Sequence, residues 1–131
     1  NKPSKIFNAG FIGNMMYEKM KPTSNGKINN KMKTFKAVNP SEKYTASGLD
    51  TALVLKNFKQ QQGKCLELLN EAQNINLNTV KITSLIGPIL RFKAGDAFRF
   101  LIAHEQRHML QAQRVLKEVW TKEKPHKGAS V

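Results

Sequence analysis

The run 97–121 constrains this chain most, because it holds neither glycine nor proline and its apolar residues recur at helical spacing. An unbroken segment of that length is predicted to be one long helix, which needs neighbours along an apolar stripe. Gly95-Asp96 offers a stop and a cap ahead of it, and Pro125 and Gly128 mark a frayed tail over 122–131. Advancing ~100° per residue from His104 puts His108 ~40° away. Ala97, Leu101, Ala112, Val115 and Val119 fall on the same side, with Phe100 and Gln111 flanking them. Arg107, Arg114 and Asp96 lie at the edge. The spacing therefore predicts two imidazoles on a core-facing apolar stripe.

One buried histidine is satisfied by a donor and an acceptor. Two on adjacent turns are harder to accommodate, since both need partners when neutral and repel when charged. A divalent metal removes the difficulty, because side chains at i and i+4 share a face and their ring nitrogens can converge on one ion. Metal ligation by His104 and His108 and a purely structural pair are the two readings. His126, in the tail after Pro125, is a poor third ligand.

Upstream, Phe11–Met20 carries apolar pairs in an i, i+4 pattern and predicts a short helix, weakened by Gly10 and Gly13. Residues 21–47, rich in Asn, Lys, Ser, Gly and Pro, predict a long basic loop with Phe35 and Val38 pinning its middle. From Leu49 to about Asn74 the stripe Leu55, Phe58, Gln62, Cys65, Leu69 and Ala72 predicts an amphipathic helix, with Ser47 or Asp50 near its start. Cys65 lies on that stripe and reads as a small buried hydrophobe rather than a catalytic thiol. Thr79–Thr83 can be extended, and Ser84–Phe92 can form a short helix bent at Gly87-Pro88.

The chain is 131 residues long, which suits one domain. Its apolar runs are far too short to span a bilayer, and the N-terminus lacks the apolar core of a secretory signal, so a cytoplasmic location is expected. A single cysteine excludes an internal disulfide framework. There are 22 basic residues against 9 acidic, a net charge of +13. The excess is concentrated in residues 1–46, where nine lysines face only Glu18 and Glu42. Such a balance makes nucleic acid a partner class to weigh, although the lysines are scattered and no recognition motif accompanies them. A solvated loop is the plainer reading.

His104-Glu105-Gln106-Arg107-His108 matches H-E-x-x-H, in which Glu105 would be the general base of a zinc peptidase. Arg107 occupies a place that is usually uncharged there, and no downstream ligand completes such a site. A longer match is Phe98-Arg99-Phe100-Leu101-Ile102-Ala103-His104-Glu105-Gln106-Arg107-His108, continued by Gln111-Ala112-Gln113-Arg114-Val115-Leu116. This segment resembles the last helix of the DinB-like superfamily of metalloenzymes, most closely over 94–117 and more loosely over 47–120.

The resemblance implies an all-α fold, a DinB-like four-helix bundle of up-up-down-down topology, in a single domain over 1–131. It implies a divalent metal, zinc or nickel, held by His104 and His108 of an H-x3-H-x2-Q helix. It further implies a metal-dependent enzyme of the thiol S-transferase or hydrolase type acting on a small-molecule substrate, with a low-molecular-weight thiol as the cofactor of the former. Gln111, Arg107 and Glu105 are candidates for orienting a ligand or meeting substrate. In that superfamily the third ligand is usually a histidine on an earlier helix, and none exists in residues 1–103. With Asn1 in place of an initiator methionine, the expectation is a chain lacking its first helix or helices, which can recruit a second copy as a homodimer. A non-catalytic bundle and a basic nucleic-acid binder are the alternatives.

Overall fold

The structure, a computed structural model, describes residues 2–28, 39, 45–84 and 87–123. Residues 29–38 and 40–44 of the expected loop, and the tail beyond 123 with His126, lie outside the described residues. Three helices and one hairpin follow in order: α1 (Phe11–Met20), α2 (Thr51–Glu71), β1 (Lys81–Ser84), β2 (Gly87–Lys93) and α3 (Ala94–Glu123). The fold is thus mainly helical with a two-stranded antiparallel sheet. No helix among the described residues is long and apolar enough to cross a membrane.

The helix starts differ in where their hydrogen-bond partners come from. Asp50 caps α2, its Oδ1 accepting from the backbone N–H groups of Ala52 and Leu53 at 3.0 Å each. α1 has no cap from its own segment. Its N-cap residue Gly10 instead donates its N–H to Oδ2 of Asp96, at 2.8 Å, so a carboxylate from α3 sits at the positive end of α1. α1 stops at Lys21, which is extended, as the residue before Pro22 prefers to be. A tight turn follows, with Gly26 at φ 66°.

α3 starts earlier than its breaker residues suggest. Gly95 and Asp96 are its second and third residues rather than a stop and cap. Backbone carbonyls supply the missing partners: Ala94 N–H donates to Val80 at 2.8 Å and Gly95 N–H to Leu77 at 3.3 Å. Glycine is required at 95 because the Phe7 ring occupies the space of a side chain there.

β2 pairs with β1, so residues 87–92 are strand and not part of the bent helix that Gly87-Pro88 suggested. Lys81 pairs with Lys93, Ile82 with Phe92 and Thr83 with Arg91. Proline is costly inside a helix, whereas a two-stranded sheet leaves each strand an open edge where its missing N–H is harmless. The hairpin and the 75–80 connection hold the N-terminal segment: Asn78 accepts from Asn8 N–H at 2.7 Å and donates to Ile6 carbonyl at 2.9 Å. Lys93 Nζ donates to the Asn8 carbonyl at 2.8 Å.

α1 and α3 run parallel. Gly10 and Gly13 meet Asp96, Asn14 and Tyr17 meet Arg99, and Gly26 beyond α1 lies against Leu110. The buried line of α3 is accordingly Asp96 (2% exposed), Ala103 (0%) and Arg107 (7%). The predicted stripe was displaced from this line. Leu101, Val115 and Val119 are exposed, because α1 docks ~100° round the helix from His104. No residue of α2 is fully buried. Gln62, Cys65 and Leu69 are half-buried, while Leu55 and Phe58 of the same stripe are exposed.

Candidate metal centre

His104 and His108 sit one turn apart on α3, on a face bordered by the α1 contact on one side and the approach of α2 on the other. Their Nε2 atoms face each other at 2.8 Å. The ring centroids are 4.4 Å apart with planes at 81°. His104 is half-buried and His108 exposed, so the pair opens outward from the core rather than lying within it. Phe100, one turn before, stacks on His104 with centroids 6.0 Å apart and planes at 25°.

The outer nitrogens differ. His108 Nδ1 lies 2.8 Å from Gln111 Oε1. An amide oxygen accepts, so the His108 proton belongs on Nδ1 and its Nε2 keeps a lone pair. His104 then donates through Nε2–H to that lone pair, which leaves its own Nδ1 as a bare acceptor. That atom is buried and has no hydrogen-bond partner among the described residues. Burial first, and then the charge of His108, push the His104 pKa below the ordinary 6.5; Glu105 opposes and Arg107 adds to the shift.

Two nitrogens ~2.05 Å from one ion stand about 2.9 Å apart at a right angle and about 3.3 Å apart at the tetrahedral angle. The observed 2.8 Å is close to the first and a small side-chain rotation from the second. No group of three or more His, Cys, Asp or Glu side chains able to hold a metal occurs among the described residues. Among the described residues the two imidazoles stand as a pair of possible donors, with His108 bonded to Gln111.

The other candidates separate from this pair. Glu105 lines a groove between α2 and α3 and acts on His104 through its charge. Arg107 is buried on the α1 side of α3. Sequence reasoning missed the Asp96 junction with Gly10 and Gly13. Its signal was there, as two glycines three apart opposite an acidic residue in the first turn of another helix. Compared with known proteins, the chain matches no family model, no curated protein and no solved structure.

Proposed function

We propose that His104 and His108 hold a divalent ion, zinc or nickel, in a DinB-like helical bundle that acts as a metal-dependent thiol S-transferase or hydrolase on a small molecule. One observation carries the reading: the two Nε2 atoms converge at ligand spacing while Gln111 fixes His108 in the tautomer that ligation needs. Imidazole nitrogens suit either metal. A bound ion would supply Lewis acidity, lowering the pKa of a thiol or water beside it. The chain's own contribution is to orient His108 through Gln111 and to shield one face of His104 with Phe100.

One feature supports a bundle with a further helix. The face of α3 that carries Leu101, His104, His108, Val115 and Val119 stays open, which leaves room for a further helix. A second copy covering that face would bring two more imidazoles to the same ion.

Metal analysis of protein purified without a histidine tag tests the reading. Tight binding of one zinc or nickel ion per site, lost in both His104→Ala and His108→Ala, is expected. A metal-free bundle has its own support, since the His104–His108–Gln111 bonds form a neutral chain without an ion. Protein that binds neither metal at micromolar concentration would leave that structural reading standing.

A further inference from the structure

A cavity of about 580 Å3 opens between α2, α3 and the turn at 22–26. Its size falls within the range of small-ligand sites. The walls are apolar, with Leu66 and Leu69 from α2 facing Ile102 and Met109 from α3. Among the described residues Glu105 is the one charged side chain in the lining, and the other polar groups there are amides, hydroxyls and the Cys65 thiol. In a chain with 22 basic residues against 9 acidic, this is the reverse of the overall balance.

We propose that this groove binds a small hydrophobic amine. The apolar body lies against Leu66, Leu69, Ile102 and Met109, and the ammonium pairs with the Glu105 carboxylate. An anionic ligand of the same shape would meet a carboxylate and, among the described residues of the lining, no cation. A neutral one would bury its body without the charge-assisted bond. At physiological salt, exposed charges more than ~8 Å away are largely screened. The inference uses neither imidazole and stands apart from the metal reading.

The single cysteine, Cys65, lines the groove and reports on its occupancy. Alkylation of Cys65 by N-ethylmaleimide is followed in 0.15 M salt with octylamine, octanol or octanoate, each below its aggregation concentration. Octylamine is expected to slow the reaction with a midpoint at least fivefold below that of octanol, and octanoate to be the weakest. Glu105→Gln should bring the octylamine and octanol midpoints together while octanol protection persists, which also reports an intact groove. Glu105→Lys should turn the preference toward octanoate. Three outcomes would overturn the proposal: no protection by any of the three, octanoate matching octylamine, or ligand-free protection that rises with protein concentration. The last would put a second copy in the groove.

Discussion

The carboxylate of Asp96 occupies the space that a side chain at Gly13 would fill. This contact joins α1 to α3. Asp96 Oδ2 accepts from Gly10 N–H, Oδ1 stands 3.7 Å from the Arg99 guanidinium, and that guanidinium lies 4.1 Å over the Tyr17 ring. Gly13→Ala drives a methyl into a buried carboxylate and should destabilise by about 1–3 kcal/mol, the range for overpacking. Asp96→Ala leaves the Gly10 N–H without its acceptor and should cost about as much. The double variant should lose less than the sum, because alanine at 96 makes room for the methyl. Urea unfolding of the four proteins checks the coupling, and strict additivity would show that the two residues do not share this space.

The same substitution at Gly63 should have the opposite sign. Gly63 lies inside α2, and a methyl there would meet no neighbouring atom within 4 Å. Glycine inside a helix costs about 1 kcal/mol relative to alanine through backbone entropy. Gly63→Ala should therefore raise stability by up to that amount. A higher urea midpoint with an unchanged slope is the expected result.

The helices were legible where pattern and propensity agree. The α3 run had no breaker, Asp50 stood at a cap position, and Lys21-Pro22 ended α1. The hairpin was not, because a short apolar segment around Gly87-Pro88 fits a strand or a bent helix equally until its partner strand is known. The orientation of α3 was hidden for a related reason. Helical arithmetic finds the apolar side, but the side that is buried depends on where α1 docks. That is fixed by Gly13 and Asp96, a glycine and an acid that hydropathy does not count as core. The His104–His108 convergence followed from i, i+4 spacing alone, and so did the place of Gln111 one turn beyond His108.

His104 makes stability depend on pH in a defined direction. Its pKa in the folded chain is lowered, first by burial and then by His108. As pH falls through about 6.5, the unfolded chain takes up the proton before the folded one does. The contribution of the neutral imidazole is thus complete above that pH and is lost between about 6.5 and the lower folded value. Chelator-treated protein should show a falling urea midpoint from pH 7.5 to 5.5, and His104→Gln should flatten part of that slope. His108→Ala should move the His104 titration, followed by NMR, back toward the ordinary value, since it removes a neighbouring positive charge.

Gln111 separates a metal centre from a structural histidine pair. Ligation through both Nε2 atoms would need both protons on Nδ1, so the His104 proton would have to move, and among the described residues only the His108 Nδ1 has an acceptor waiting. Loss of that acceptor in Gln111→Ala removes orientation and basicity from one ligand, an effect worth about 10–100-fold in metal affinity. Gln111→Glu keeps an acceptor oxygen and adds negative charge, so it should bind zinc at least as tightly as the parent. Competition with a chromophoric chelator measures all three affinities. The link to folding gives a second readout: zinc at 100 times its dissociation constant should stabilise the parent by about 2.7 kcal/mol. At the same zinc concentration, Gln111→Ala should gain about 0.4–1.4 kcal/mol, as its weaker affinity dictates. Equal zinc affinities in the parent and Gln111→Ala would mean that the amide plays no part in holding an ion.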